Sequence, residues 1–259
     1  MSDGALRSAP AMVVVLALAA VAVVYLDLDA SALLGGGARM AQLAGDAFPP
    51  RLSLLPTAAR ALGETLAIAL LGTLIGVALA LPMGIAGART LFPVWIAAPV
   101  RLLAALVRTL PSLLWAVLFV ILLGFGPLAG VLAMAMYTTG HVAKLQYESL
   151  EGLPPEPFEA IRATGASRLQ LVRFVALPEA ANQLLSQGLY MFEYNVRASS
   201  IVGFVGAGGI GYYIQRHLQM LQYDGVLALL AVIFVAIVAI DALSLRVRSR
   251  YLTMVPGQG

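Results

Sequence analysis

The feature that most constrains this chain is a series of apolar stretches, several of them long enough to cross a bilayer. A hydrocarbon core of about 30 Å needs roughly 20 helical residues. Six segments approach that length: Ala11–Leu26, Glu64–Ala88, Thr109–Gly124, Pro127–Lys144, Asn182–Val205 and Gly225–Leu245. The third is short, and Ala97–Val107 before it reads as an interfacial or extending helix. The first follows a lone Arg7 and precedes Ala30-Ser31-Ala32, which also has the form of a signal peptide and its cleavage site. The further spans that follow favour an uncleaved first helix. Composition agrees: 61% of the 259 residues are hydrophobic and only 11% are charged. Soluble domains carry about 25% charged residues, so this chain could not coat a water-soluble globule of its size. A soluble enzyme, a disordered regulator and a nucleic-acid-binding domain are all disfavoured. The expected fold class is all-α, a polytopic transmembrane helical bundle of about six spans.

Orientation follows from arginine and lysine. With the amino terminus inside, eleven of the sixteen basic residues fall on inside segments: Arg7, Arg89, Arg101, Arg108, Lys144, Arg162, Arg168, Arg173, Arg246, Arg248 and Arg250. The rest are Arg39, Arg51, Arg60, Arg197 and Arg216. Both termini are therefore expected on the cytoplasmic side, and the net charge of +3 reflects basic inside loops rather than nucleic-acid binding. The outside segment 27–63 holds Gly35-Gly36-Gly37 and Pro49-Pro50, which mark a loop with room for a short surface helix. The inside segment 145–181 exceeds the length at which loops are usually functional or disordered. Its apolar residues Ile161, Leu169, Leu171, Val172 and Val175 recur at helical spacing, which points to an ordered helix pair.

That segment reads Glu159-Ala160-Ile161-Arg162-Ala163-Thr164-Gly165, then nine residues, then Val175-Ala176-Leu177-Pro178. It resembles the EAA loop of ABC importer permeases, with Ile161 in place of the second alanine and Val175 in place of isoleucine. Gly165 can adopt the backbone angles of a sharp turn, and Leu177-Pro178 can end one helix before the next span. The likeness narrows elsewhere. Phe48-Pro49-Pro50 with Leu62–Thr73, Arg108-Thr109-Leu110-Pro111 with Trp115-Ala116, Gly124–Ala133 and Ala163–Ser167 look like phosphonate-type permeases. So does Phe192-Glu193-Tyr194-Asn195-Val196-Arg197-Ala198-Ser199 followed by Val202–Gly211. The resemblance runs from about residue 48 to 250, while the first 47 residues match nothing useful. Ser112 stands where many such permeases carry an acid.

Within the fifth span, Glu193 and Arg197 are spaced i, i+4 with the acid first, the better order for a pair. Charges cost about 2.5–3.5 kcal/mol each at a bilayer centre on insertion scales and usually face protein or a wet cavity. Tyr190 shares that face, and Asn195 lies roughly opposite. Two readings stand: a polar pathway wall formed by Tyr190, Glu193, Asn195 and Arg197, with Arg197 attracting an anion, or a self-neutralised pair that fixes packing. Gly72 and Gly76, with Ala80 one turn on, form a small-residue seam for close helix packing. Gly206, Gly208 and Gly211 spell a dinucleotide fingerprint, but no strand precedes it. With Gly209 they fit an irregular backbone at a membrane exit, and by resemblance a gate on the outer side of the pathway.

The chain has no phosphate-binding loop of the G-x-x-x-x-G-K-[ST] type; its single lysine, Lys144, is followed by Leu145. It has no cysteine, and His141 and His217 are too few and too far apart for a histidine metal site. The resemblance therefore implies a non-enzymatic pore subunit at the bacterial inner membrane with no cofactor of its own. ATP and Mg would bind a separate ATPase subunit. Glu159, Ala160, Gly165, Leu177 and Pro178 would couple to that ATPase. A soluble receptor would deliver substrate outside, and a second permease, most simply an identical copy, would complete the pathway. Phosphonate or a related phosphorus oxyanion is the implied cargo; methionine, phosphite or a phosphate ester is the nearest alternative within the same machine. A membrane-embedded enzyme or scaffold is the alternative of a different class. The domain reading is an amino-terminal span and loop at 1–47, a permease domain at 48–250 with its coupling loop at 145–181, and a tail at 251–259.

Overall fold

A computed structural model of the chain describes residues 3–26 and 30–251; the expected tail, apart from Tyr251, lies outside them. No strand occurs among the described residues. The chain divides into two compact units, Met1–Phe48 and Pro49–Gly259. The first holds α1 (Asp3–Tyr25) and α2 (Ala30–Ala47). Here the expected glycine loop is corrected: the triple glycine lies inside an 18-residue helix. Each glycine costs about 1 kcal/mol relative to alanine, but the alanines, leucines and Met40 around them are strong helix formers.

The second unit begins with a short 3₁₀ turn at Leu52–Leu54 and α3 (Leu55–Gly87), nine residues earlier than the apolar run implied. Then follow α4 (Val94–Thr109), α5 (Ser112–Leu123) and α6 (Pro127–Glu151). The short third span is thus the second arm of a pair, α4 and α5, bent by 83° at Leu110-Pro111. Pro111 forces the break because it removes an N–H and restricts the residue before it. The chain continues through α7 (Pro155–Ala163), α8 (Arg168–Leu171), a π turn at Val172–Ala176 and α9 (Leu177–Val202). A 3₁₀ turn at Gly203–Val205 leads to α10 (Gly209–Gln219) and α11 (Tyr223–Tyr251). Among the described residues, α3 and α11 are long and apolar enough to span alone, and the bent α4–α5 pair makes a third if counted as one span. α6 and α9 have the length, but polar side chains such as Thr138, Gln146, Asn195 and Ser199 lower their apolarity and are buried against protein. With α1, the chain offers about six spanning elements.

The core of the second unit is the contact of α3 with α6. Gly72 faces Met134, Gly76 faces Thr138 and Gly84 faces Gln146, at a constant offset, so the two helices run parallel with backbones close. α9 runs antiparallel across both. Its Leu177–Ala180 end packs near Ala88, Tyr147 and Leu150, and its Ala198–Val202 end near Ile68, Ala129 and Met134. A β-carbon at Gly76 would lie 2.5 Å from Thr138 Cβ and 2.8 Å from the Ala135 carbonyl oxygen. Gly76→Ala must therefore force α3 and α6 apart, at a cost of about 1–3 kcal/mol. Gly63 has open space around it, so Gly63→Ala should be neutral or stabilising by up to about 1 kcal/mol. Thermal unfolding of the purified variants in detergent checks both.

Candidate functional site

Three regions of the second unit carry the residues singled out from the sequence. The first is the α7–α8 hairpin. The chain turns at Gly165, whose φ of +78° only glycine takes without strain. Ser167 then starts α8 with a capping box: its hydroxyl accepts from the Gln170 N–H while the Gln170 side chain accepts from the Ser167 N–H. The inner face is apolar. Phe158, Leu171, Val172, Val175 and Ala176 bury themselves against Ala88, Leu91 and the end of α6. Glu159, Ala160 and Gly165 lie on the exposed side, joined by Leu169 and Phe174, which are 74% and 60% exposed. The sequence pattern includes Leu169 among the apolar residues of an ordered helix pair, but the structure exposes it; Phe174 is not singled out by that pattern. The expectation that Leu177-Pro178 ends a helix is corrected: the chain passes through the π turn straight into α9, with Pro178 in its first turn.

Beside the hairpin, Glu151 at the end of α6 gathers the neighbouring elements. Its Oε1 accepts from the Arg89 N–H at 2.7 Å and from the Arg101 guanidinium. Arg101 also donates from Nε to the Gly87 carbonyl at 2.7 Å, and its guanidinium carbon lies 4.2 Å above the centre of the Tyr147 ring. Burial alone would raise the Glu151 carboxyl, but these hydrogen bonds and the two positive charges outweigh it and hold it below the usual glutamate range.

The second region is the polar stretch of α9. Tyr190 is exposed. Glu193 and Arg197 do not pair with each other, which corrects the self-neutralised reading. Arg197 Nη1 donates to both carboxylate oxygens of Asp241, at 3.1 and 3.0 Å, and Glu193 takes Arg248. Both partners lie on α11, so the i, i+4 charges are bridges between helices. Asp241 is the one charged residue within the apolar run Gly225–Leu245 and could have been noticed as such; Arg248 lies just beyond that run. Asn195 is fully buried, and its Nδ2 donates to Thr73 Oγ1 and Thr138 Oγ1, each at 2.8 Å. It therefore sits between α3, α6 and α9 and not on the surface that Tyr190 shares. Near Tyr190, Tyr194 stacks on Tyr137 of α6 with centroids 5.0 Å apart, and Tyr137 lies 4.1 Å from His141.

The third region is the glycine turn. Gly206, Gly208 and Gly209 have φ of +86°, +86° and +73°. Gly211 is helical and packs against the backbone of Ser200 and Gly203. The Gly206 carbonyl accepts from the Gly126 N–H at 2.9 Å. The open amino end of α10 is satisfied from α3: Glu64 Oε1 accepts from the Gly209 N–H at 3.1 Å, and Thr65 Oγ1 from the Ile210 N–H at 2.8 Å. A carboxylate at a helix amino terminus is favourably placed in the helix dipole. A cleft of about 520 Å³ opens beside it, lined by Glu64, Phe125, Pro127, Tyr212, Tyr213 and the turn glycines. Among the described residues no cluster of His, Asp or Glu could hold a metal ion.

Residues 72–252 match the profile of the family described as binding-protein-dependent transport system inner membrane component. A phosphite transport system permease protein of Stutzerimonas stutzeri is 39% identical over 218 residues, 84% of this chain and 79% of that protein. A phosphate-import permease protein of Mycolicibacterium smegmatis is 40% identical over 194 residues, 73% of this chain and 36% of that protein. An inward-facing structure of the MetNI methionine ABC transporter superposes with a TM-score of 0.68 and 24% identity, covering 79% of this chain and all of that one, a likeness of fold.

Because the folded carboxyl of Glu151 is depressed, its contribution is full above the ordinary glutamate range and is lost as pH falls through the folded value. Glu151→Gln should cost on the order of 1 kcal/mol at pH 7. The gap from wild type should close as the pH is lowered past 4, read as melting temperatures of both proteins across pH 7 to 3.

Proposed function

Because this chain belongs to the family of inner-membrane components of binding-protein-dependent transport systems, we propose that it is the permease subunit through which an ATP-driven importer passes phosphite, phosphonate or a related phosphorus oxyanion. The observation that carries the reading is the 39% identity to a phosphite permease across 84% of the chain. Two copies of the chain enclose one pathway, with a sister permease as the alternative second subunit. The chain itself performs no catalysis. A separate ATPase binds ATP and Mg and docks on the α7–α8 hairpin, where Glu159, Ala160 and Gly165 are exposed beside Leu169 and Phe174. Leu177 and Pro178 carry the motion into α9. A soluble receptor delivers the anion at the opposite end, where Gly206, Gly208, Gly209 and Gly211 form the outer gate. Both termini and the hairpin lie on the cytoplasmic side of the bacterial inner membrane, as the distribution of arginine supports.

The direct test is uptake by the complex reconstituted with its ATPase and receptor, offered phosphite, methylphosphonate, phosphate, methionine and choline. Uptake of a phosphorus oxyanion dependent on ATP is expected; uptake of methionine or choline alone would overturn the substrate.

Docking on the hairpin has its own test. At Gly165 a side chain meets nothing within 4 Å, so the penalty of substitution is backbone strain alone, of order 1–3 kcal/mol. Gly165→Val should leave the protein in the membrane yet weaken ATPase co-purification or separate ATP hydrolysis from uptake. Wild-type values for both would remove the hairpin from coupling.

A further inference from the structure

The pathway reading leaves open where on this chain a passing anion is held. Arg197, the cation that the sequence offers for this, is taken by Asp241. Arg108 differs: it is exposed and forms no ion pair among the described residues. It ends α4, just before the 83° bend into α5. That end is pressed onto α6, since a β-carbon at Gly140 would lie 2.9 Å from Arg108 N and 3.1 Å from Arg108 Cβ. His141 is the next residue of α6 after Gly140, so Arg108 and His141 are brought to the same level of the α4–α6 contact. One turn away is Tyr137, stacked on Tyr194, with exposed Tyr190 one turn along α9.

Tyr137 lies about 15 Å along α6 from Pro127 at 1.5 Å per residue, half the thickness of a hydrocarbon core of about 30 Å. An arginine and a histidine within a span face protein or water rather than lipid. Broken helices are tolerated there only where they are shielded by protein or line a water-filled cavity, and such breaks recur at transporter substrate sites.

We propose that Arg108, Tyr137, Tyr190, Tyr194 and His141 form a transit site for a small tetrahedral oxyanion in the inner half of the pathway. This rests on the transport reading above and assigns the residues that the anion meets. The guanidinium presents a fork of N–H donors suited to two oxygens of one anion. The phenols donate single hydrogen bonds without adding fixed charge. His141 Nδ1 faces the Tyr137 carbonyl at 3.1 Å; a carbonyl only accepts, so Nδ1 carries the hydrogen, and in the neutral ring Nε2 is an acceptor. Nε2 can take the P–OH of a singly protonated phosphonate or phosphite while the other groups hold its charged oxygens. One cation and neutral donors bind strongly enough to admit an anion and weakly enough to release it, as conduction requires.

The test uses the reconstituted complex with ATPase and receptor, measuring uptake of phosphite and methylphosphonate together with ATP hydrolysis. Arg108→Gln should lower uptake per ATP hydrolysed about ten-fold, the scale of one charge-assisted hydrogen bond. Arg108→Lys should recover part of that loss. The double variant Tyr137→Phe with Tyr194→Phe keeps both rings and should lower uptake about three- to five-fold, the scale of neutral hydrogen bonds. Uptake within two-fold of wild type in both Arg108→Gln and the double variant would overturn the site while leaving the transport reading intact. A wild-type complex that carries no phosphorus oxyanion would overturn the transport reading, and the site with it. If Arg108→Gln does not assemble, the double variant decides on the same readout.

Discussion

The second unit depends on the parallel contact of α3 and α6. Helices in a bilayer gain little hydrophobic drive from associating with each other, so close van der Waals approach must hold them. Gly72, Gly76 and Gly84 supply it by removing side chains where Met134, Thr138 and Gln146 press in. With the two backbones this close, Thr73 and Thr138 come within reach of one amide, and Asn195 bonds both. That node sets the register of α9 on the pair. In an apolar interior the cost of leaving such groups unpaired is about 1–3 kcal/mol each, so a slipped register is disfavoured.

α9 then becomes the element through which the two ends meet. At one end it emerges from the π turn and the apolar core that seats the hairpin. At its middle it carries Asn195, and beyond that Ala198 and Val202 pack on α3 and α6. At the far end it leads directly into the glycine turn docked on Glu64 and Thr65. Its charges bind α11, so α11 is fixed to α9 by two ion pairs in addition to apolar packing.

Much of this was legible in the sequence because membrane spans and helix seams follow from short-range rules. The apolar runs placed α3, α6, α9 and α11 within several residues, and the spacing of Gly72 and Gly76 marked the face of α3 that packs. The positive φ of Gly165 is likewise the turn that its position implied. What could not be read was partner choice over long separations. Spacing on one helix put Glu193 beside Arg197, but each found a better placed partner on α11. Tyr137, His141 and Tyr194 gave no signal because tyrosine and histidine on an apolar face look like ordinary filling until α6 and α9 are set side by side. α2 is longer than the short surface helix the segment suggests for another reason: three consecutive glycines weaken a helix, but the helix formers around them outweigh that cost.

The Leu177-Pro178 pair shows how local chemistry can be right and the inference from it wrong. Proline has no N–H, and its ring collides with the carbonyl four residues back, here that of Phe174. A regular α-helix would break or kink at that point. The chain instead widens into a π turn at Val172–Ala176, immediately before Leu177. The wider turn moves the Phe174 carbonyl out of the regular α-helical ladder, so the ring is accommodated and the helix continues. Within this turn Phe174 is exposed while Val172 and Val175 are buried. The proline that was expected to separate the hairpin from the span is thus housed in the element that joins them, and the apolar side chain offered to a partner belongs to that same turn.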